Sequence, residues 1–241
     1  MAWGQFYEKW KSTEGYHDVD NRKCCSMTLD LFHKPDACKC EVLGSSALVL
    51  LDFAIPYVDE LLPAIRAVTE QAPFRHMVTP GGFTMSVEMT NCGRLGWSTD
   101  RWGYRYTDTD PESGKPWPVM PGVLLRLARE AAVASGFLDF EPDACLLNRY
   151  LPGTRLTLHT DKNELDFGAP IVSVSLGMPA VFLFGGPKRS DKTRRIPLNH
   201  GDVAIWGGED RLRYHGVMPL KENPHALLGA QRLNLTFRKA G

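Results

Sequence analysis

The sequence predicts a mainly β fold of the α+β class, either a β-sandwich or a jelly roll, with helices packed on one side. Two helical segments come first, and many short strands separated by turn residues follow them. Apolar residues at helical spacing after Pro56 indicate the first helix. The second helix runs from about Val119 to Ser135 and ends at Gly136. The strands predicted after it cover 144–150, 155–159, 171–177, 180–184, 195–198, 202–206 and 232–238.

The part of the chain before the second helix contains two further strands. Residues 47–53 form a short apolar run that is typical of a buried strand. Residues 84–90 alternate, which places Met85, Val87 and Met89 on one face. Residues 91–118 are rich in glycine, proline and aromatics without periodicity, so we expect them to be irregular.

Length and composition indicate one large domain. The chain has 241 residues, of which 43% are hydrophobic and 23% charged, which is typical of a globular protein with a substantial core. No apolar run reaches the ~18 residues that a membrane helix needs, and no signal-peptide pattern opens the chain, so we expect a cytoplasmic protein. The net charge of zero argues against a strong sequence-independent grip on long nucleic acid but allows a local basic strip.

Residues 1–45 are polar and lack clean periodicity, and we predict that they form a partly disordered extension before a single domain at 46–241. Met27 is a second candidate start. The spacing of the first cysteines fits a zinc site poorly, so we favour reduced, unligated thiols. The six cysteines are Cys24, Cys25, Cys38, Cys40, Cys92 and Cys145.

The stretch LHTDKNE contains a candidate metal site. His159 ends a predicted strand, and Asp161 follows two residues later, so both side chains can point to one ion. Two histidines and one carboxylate form the facial triad of non-haem Fe(II) oxygenases. His200, His215 and His225 are candidates for the third ligand, and we favour His215 for its distance from the final strand. A His-x-Asp pair taken alone is more often a chance pair in a polar turn.

The final strand strengthens the case for a catalytic site. In RLNLTFR (232–238), Arg232, Asn234, Thr236 and Arg238 share one face. The ordinary explanation is an exposed strand with a wet face, but two arginines also suit the two carboxylates of a small diacid. On the strand 144–150, Asn148 and Tyr150 share a face and offer neutral hydrogen bonds.

Taken together, HTD (159–161), YHG (214–216) and RLNLTFR resemble the AlkB family of Fe(II)/2-oxoglutarate dioxygenases, and the similarity extends over about residues 45–241. The resemblance implies a double-stranded β-helix (jelly roll) core, with Fe(II), 2-oxoglutarate and O2 as cofactor and co-substrates. It implies that His159, Asp161 and His215 are the catalytic iron ligands and that His200 is structural. The residues implied to hold 2-oxoglutarate are Asn148, Tyr150, Arg232, Asn234 and Arg238.

The resemblance also implies a nucleotide-recognition lid at about residues 77–118. An aromatic face attracts a cationic alkylated base, and the base must leave the stack to reach the metal. Trp102 and Trp117 lie in the same segment without an assigned role. The residues implied to contact substrate are Trp97, Tyr104, Tyr106, Thr79, Met85, Lys162, Asn163, Glu164 and Arg189.

Two features bear on substrate choice. The basic stretch 185–195 is either a solvated hairpin loop or a local phosphate contact. Asn163 stands where the resemblance implies an aspartate facing the exocyclic amine of the damaged base. We hypothesise that this exchange weakens discrimination in favour of cationic adducts and favours neutral ones such as etheno-bridged bases.

The implied activity is repair of alkylated DNA, and possibly RNA, by oxidative demethylation of bases such as 1-methyladenine and 3-methylcytosine. We expect a monomer that prefers single-stranded nucleic acid and does not bind membranes. The alternatives are a dioxygenase of the same fold acting on protein or small molecules, and a non-catalytic module that binds damaged nucleic acid. A zinc hydrolase is less favoured, because it leaves the polar face of the last strand unexplained.

Overall fold

The structure, a computed structural model, describes residues 39–241. The predicted disorder of the N-terminal extension, and Cys24, Cys25 and Cys38, therefore lie outside the described residues. Strand β1 (Cys40–Val42) pairs antiparallel with β2 (Ala47–Leu50), so the sheet includes residues that precede the predicted boundary at residue 46.

Two helices and twelve further strands follow in the described part of the chain. The helices are α1 (Val58–Gln71), after a short 3-10 turn at Ile55–Tyr57, and α2 (Gly122–Ala134). The strands are β3 (Arg75–Val78), β4 (Thr84–Gly93), β5 (Gly96–Asp100), β6 (Gly103–Thr107), β7 (Ala144–Tyr150), β8 (Leu156–His159), β9 (Ile171–Gly177), β10 (Ala180–Phe184), β11 (Arg194–Leu198), β12 (Val203–Trp206), β13 (His215–Val217) and β14 (Arg232–Arg238).

The strands form a jelly roll of two principal sheets, as predicted. The larger sheet has eight strands in the order β1-β2-β12-β9-β14-β7-β4-β3, and the smaller has four in the order β11-β10-β13-β8. Strand β14 lies in the middle of the larger sheet, paired with β9 on one side and β7 on the other. The final strand is therefore central, which gives its polar face a buried setting.

Both helices cover the outer face of the larger sheet. Leu61 of α1 and Leu127 of α2 are fully buried in one apolar cluster with Leu235 and Phe237 of β14. A second cluster, which includes Val49, fills the space between the two sheets. Since neighbouring residues of a strand point to opposite faces, the polar residues of β14 face into the space between the sheets.

The segment predicted to be irregular is partly ordered, which corrects that prediction. β4 continues to Gly93, and β5 and β6 form a separate two-stranded hairpin. In this hairpin Trp97 pairs with Tyr106 and Thr99 with Tyr104, so the four side chains share one face. On β6, Tyr104 and Tyr106 alternate with polar residues, a weak β signal that the glycines obscure.

Within residues 39–241, the structure contains no helix that is both long enough and apolar enough to cross a membrane.

Candidate functional site

Three predicted ligands lie together at the edge of the smaller sheet that β13 and β8 form. His215 of β13 pairs directly with His159 of β8, and Asp161 follows β8. Asp161 Oδ1 lies 3.7 Å from His159 Nε2, and Asp161 Oδ2 lies 3.7 Å from His215 Nε2. The three ligand atoms lie within 4.8 Å of one another, a spacing that suits one shared metal ion.

The backbone fixes the orientation of both imidazoles. Nδ1 of His159 lies 2.9 Å from the carbonyl oxygen of Thr157, and Nδ1 of His215 lies 3.0 Å from that of Arg213. A carbonyl only accepts hydrogen bonds, so each Nδ1 carries the proton and each Nε2 presents a lone pair to the ion. This tautomer is the one that a metal requires.

The charges around Asp161 keep it ionised. Burial alone would raise the pKa of Asp161, but Arg238 and the two histidines hold that pKa well below its usual range. Arg238 donates from Nη2 to Asp161 Oδ2 over 2.9 Å. Burial, and next the neighbouring His159, lower the pKa of His215 to about 4. At neutral pH the site therefore offers a neutral His215 and a carboxylate, the forms that bind a divalent cation.

A buried arginine beside the triad has unused donors. Arg232 is 1% exposed, and its Nη2 donates to Ser175 Oγ over 2.9 Å. Its Nε and Nη1 have no hydrogen-bond partner, and its guanidinium lies 5.0 Å from the centroid of the Tyr150 ring. An unsatisfied buried guanidinium is costly. A carboxylate with two oxygens is the ligand that would satisfy it.

The neutral polar residues lie on the same face as Arg232. Asn148 and Asn234 are paired across β7 and β14, and Asn148 Nδ2 donates to Asn234 Oδ1 over 3.2 Å. Asn234 Nδ2 donates in turn to Ser173 Oγ at 2.8 Å. Asn148 Oδ1 is buried without a partner. The residues predicted to hold 2-oxoglutarate thus form one buried polar surface, and its incomplete hydrogen bonding fits a small polar ligand.

Glu164 connects the lid to the metal site. Tyr106 donates from its hydroxyl to Glu164 Oε1 over 2.6 Å. Arg211 donates from Nη2 to Glu164 Oε2 at 3.2 Å, and Arg238 Nε lies 3.5 Å from Oε1. Both carboxylate oxygens are therefore engaged within the protein. This arrangement favours a positioning role for Glu164 over the direct substrate contact predicted from sequence.

Arg211 is a functional residue that the sequence analysis missed. It is 2% exposed. Besides contacting Glu164, it donates from Nη1 to the carbonyl oxygen of Asp161 at 2.8 Å and from Nε to that of Ala169 at 3.1 Å. It therefore holds both ends of the segment that carries Asp161. In the sequence, Arg211 is one of four charged residues in the stretch EDRLR, and this context gives no signal that its side chain is buried.

The β5–β6 hairpin, which lies in the segment predicted to be the lid, presents an aromatic surface. Trp97 and Tyr104 stack with ring centroids 5.7 Å apart and an interplanar angle of 21°. The Asn91 side chain donates to the Trp97 carbonyl at 2.9 Å and accepts from the Trp97 backbone N–H at 3.0 Å. These two bonds fix the main chain of Trp97. Trp117 is buried and donates from Nε1 to the Thr107 carbonyl at 3.0 Å, so it supports the hairpin from within.

The remaining predicted substrate residues lie at separate positions. Thr79, in the turn between β3 and β4, accepts a hydrogen bond from the Phe83 N–H at its Oγ1, and Met85 is half-buried on β4. Lys162 and Asn163 are exposed directly after Asp161, and Arg189 is exposed between β10 and β11.

The two alternative histidines lie together outside the triad. His200 accepts a hydrogen bond from the Gly177 N–H at its Nδ1, and its ring stacks on His225 with centroids 4.2 Å apart. Among the described residues, the cluster able to hold a metal comprises His159, Asp161 and His215.

Comparison with known proteins supports this interpretation of the geometry. The 2OG-Fe(II) oxygenase superfamily model matches residues 49–238. The chain is 55% identical over 213 residues to the alpha-ketoglutarate-dependent dioxygenase AlkB of Escherichia coli (strain K12), covering 88% of this chain and 98% of that protein. It is 36% identical over 132 residues to the nucleic acid dioxygenase ALKBH1 of Homo sapiens, covering 54% of this chain and 33% of that protein. The solved structure of OsALKBH1 superposes with a TM-score of 0.72 at 30% identity, covering 83% of this chain and all of that one.

Proposed function

Because the chain belongs to the 2OG-Fe(II) oxygenase superfamily and, within it, to the AlkB proteins, we propose that it repairs alkylated nucleic acid by oxidative removal of N-alkyl groups. The enzyme is a dioxygenase that uses Fe(II), 2-oxoglutarate and O2. The observation that carries the proposal is the continuity of three parts in the described chain. The metal triad adjoins the aromatic hairpin through Tyr106, Glu164 and Arg238, and Arg232, with its unused donors, lies on the same strand and the same face as Arg238.

His159, Asp161 and His215 would hold the iron through two Nε2 atoms and one carboxylate oxygen. The iron, with 2-oxoglutarate and O2, supplies an oxidant that hydroxylates a C–H bond of the substrate, while 2-oxoglutarate becomes succinate and carbon dioxide. Arg232 would bind one carboxylate of 2-oxoglutarate with its free Nε and Nη1. Arg238 would orient the other carboxylate while it holds Asp161 in place. Asn148, Tyr150 and Asn234 complete the polar surface.

The substrate step follows from ordinary chemistry once the alkyl carbon lies near the metal. Hydroxylation of the N-alkyl carbon gives a hemiaminal, which collapses to release an aldehyde and restore the base. The stacked Trp97 and Tyr104 offer a flat electron-rich surface, which favours cationic bases such as 1-methyladenine and 3-methylcytosine. Lys162, Asn163 and Arg189 are exposed and available to contact the nucleic-acid strand. Thr79 and Met85 belong to the same proposed groove.

The finer features of the function are also proposals. We propose DNA as the main substrate, with RNA as a second, and single strands over duplexes because a base leaves a single strand at lower cost. We propose that the enzyme acts as a monomer in the cytoplasm, which its similarity to a bacterial AlkB protein supports.

The first test is anaerobic loading with Fe(II), followed by aerobic reaction with 2-oxoglutarate and a single-stranded oligonucleotide that carries one 1-methyladenine. Mass spectrometry should show loss of the methyl group, dependent on iron and 2-oxoglutarate. His159→Ala and Asp161→Ala should abolish it. Succinate formation without repair of this oligonucleotide or of an ethenoadenine oligonucleotide would overturn the nucleic-acid assignment and leave the dioxygenase.

A further inference from the structure

The tip of the lid hairpin carries an exposed tryptophan that the proposed function does not use. Trp102 lies in the turn between β5 and β6 and is 76% exposed. An indole so exposed on a protein surface is unusual, because tryptophan normally buries most of its large apolar area. Tryptophan is enriched at interaction surfaces, where one part of the ring system contacts a partner.

The turn that presents Trp102 is braced. Asp100 accepts a hydrogen bond from the Trp102 N–H at 2.8 Å. The same carboxylate accepts two more from Arg105, at 2.9 and 2.6 Å. Gly103 follows with a φ of 124°, a conformation that side-chain-bearing residues avoid. The backbone that carries the indole is therefore held in one conformation before any ligand arrives, which lowers the entropic cost of binding.

A cation lies against the same ring. The guanidinium of Arg101 lies 4.5 Å from the centroid of the Trp102 ring. Arg101 is exposed, and within the described residues no carboxylate forms an ion pair with it. Its charge is thus available to an anionic partner. An aromatic face beside a free guanidinium is the combination that binds single-stranded nucleic acid, by stacking on a base and contacting a phosphate.

The length of the hairpin separates Trp102 from the metal site. Tyr106, whose hydroxyl contacts Glu164 at the metal site, lies four residues along the strand, or about 13 Å at ~3.3 Å per residue. The damaged base has its proposed stacking surface on Trp97 and Tyr104, with its alkyl group near the metal. Trp102 at the tip is therefore available to a neighbouring nucleotide of the same strand.

We propose that Trp102 and Arg101 form a second nucleic-acid contact, in which Trp102 stacks on a base flanking the target and Arg101 contacts a flanking phosphate. This inference rests on the proposed function and deepens it. The substrate is then a polynucleotide whose recognition extends beyond the damaged base. The partner is single-stranded, because a flanking base must be unstacked to lie on the indole.

The test compares two substrates that share the reactive group. One is a single-stranded oligonucleotide with a central 1-methyladenine, and the other is the 1-methyladenine mononucleotide, which is too short to reach the hairpin tip. Trp102→Ala should lower kcat/KM on the oligonucleotide by about 5- to 100-fold, the value expected for loss of one stacked base. It should leave turnover of the mononucleotide unchanged. Trp102→Phe should retain most of the oligonucleotide activity.

One control variant and one further variant separate the possible outcomes. Leu138→Ala removes a similarly exposed apolar side chain outside the lid and should change neither rate. Arg101→Gln should weaken oligonucleotide binding, measured by fluorescence anisotropy, and make the salt dependence less steep by about one unit of slope. Equal effects of Trp102→Ala on both substrates would overturn the inference. A dimer that Trp102→Ala dissociates without changing oligonucleotide affinity would also overturn it, by assigning the indole to a protein contact.

Failure of the inference is distinguishable from failure of the proposed function. A wild-type protein that demethylates both substrates, with Trp102→Ala equally active, rejects the second contact alone. A wild-type protein that demethylates neither substrate rejects the proposed function and, with it, the inference.

Discussion

Arg238 and Asp161 form a buried ion pair between the last strand and the metal site, with Nη2 2.9 Å and Nε 3.2 Å from Asp161 Oδ2. The same guanidinium lies 3.5 Å from Glu164 Oε1. One side chain of the larger sheet thus orients the carboxylate that joins the histidines of the smaller sheet. The geometry depends on the planar fork of arginine, which a lysine cannot reproduce.

We therefore expect Arg238→Lys to lower kcat/KM for 2-oxoglutarate by about 10- to 100-fold, the equivalent of one or two charge-assisted hydrogen bonds. Succinate formation measures the effect. Arg126→Lys is a matched control, because Arg126 pairs with Glu60 on the exposed surface of the two helices. Equal activity of Arg238→Lys and the wild type would show that the fork is dispensable.

Arg232 gives opposite predictions for stability and for binding. Its guanidinium is buried with two unsatisfied nitrogens, so Arg232→Met should leave the ligand-free protein at least as stable as the wild type. In the Arg232→Met variant, 2-oxoglutarate should no longer stabilise the protein against unfolding. In the wild type, under anaerobic Fe(II), ligand at 100 times Kd should add about 2.7 kcal/mol, or roughly 5–10 °C in Tm. A normal 2-oxoglutarate shift in the variant would exclude Arg232 from the ligand site.

Arg211 should matter for metal affinity without touching the metal. Arg211→Met frees the Asp161 carbonyl and leaves Glu164 without one of its two arginines. We expect Fe(II) affinity to fall by about 10- to 100-fold, as for other residues that orient ligands. Anaerobic Fe(II) titration, with circular dichroism as the control for folding, measures this. Arg211→Lys keeps the charge, and its Fe(II) affinity should lie between those of the wild type and Arg211→Met. Unchanged Fe(II) affinity in both variants would contradict the prediction.

Asn163 should set the preference between cationic and neutral lesions. Restoring the charge in Asn163→Asp should raise turnover of 1-methyladenine relative to ethenoadenine by about two- to fivefold, because the residue is exposed and its charge is screened. The two oligonucleotides compete in one reaction, and mass spectrometry follows both. Asn199→Asp, outside the lid and the Asp161 segment, is the control. Identical ratios for the wild type and Asn163→Asp would reject the hypothesis.

Asp143 ties the end of the described chain to the site. It accepts hydrogen bonds from the N–H groups of Ala240 and Gly241, and the Ala240 carbonyl accepts one from the Leu165 N–H. Burial raises the pKa of Asp143, but these bonds and Arg94 outweigh it and lower the pKa overall. The stabilisation is therefore present above the ordinary carboxyl pKa of about 3.9 and is lost as the pH falls through the lower folded value.

We expect Asp143→Asn to lower the free energy of unfolding at pH 7 by roughly 1–3 kcal/mol, or about 2–4 °C in Tm for each kcal/mol. The difference should shrink below about pH 4. Calorimetry across pH tests both statements. A difference that stays constant with pH would show that the charge of Asp143 contributes nothing.

The parts of the site that lie on regular strands could be predicted from sequence. Strict alternation in β14 placed Arg232 and Arg238 on one face, and the two-residue spacing of His159 and Asp161 placed them together. His215 was favoured among three candidate histidines for its distance from the final strand, and the resemblance implied the same residue. Pairing of His215 with His159 across β13 and β8 is a long-range contact that only the folded sheet defines.

The parts that could not be predicted depend on burial in irregular segments. Glu164 follows two exposed residues and faces inward because Arg211, 47 positions later, donates to its carboxylate, together with Tyr106 and Arg238. The β5–β6 hairpin combines a weak alternating pattern with glycine, so propensity alone favoured a loop. The inward position of Glu164 arises from tertiary contacts that local patterns do not encode, whereas the hairpin is a local pairing whose sequence signal is weak.

The central place of β14 has a consequence for biosynthesis. The histidines lie on the smaller sheet and the arginines on a strand that follows every other strand of the described chain. A nascent chain with β7 and β9 complete has a gap between them until β14 enters. Asp161 then lacks its counter-cation, and no dicarboxylate site exists. A chain without β14 therefore has no site for 2-oxoglutarate, and the site is completed by the strand that folds into the gap between β7 and β9.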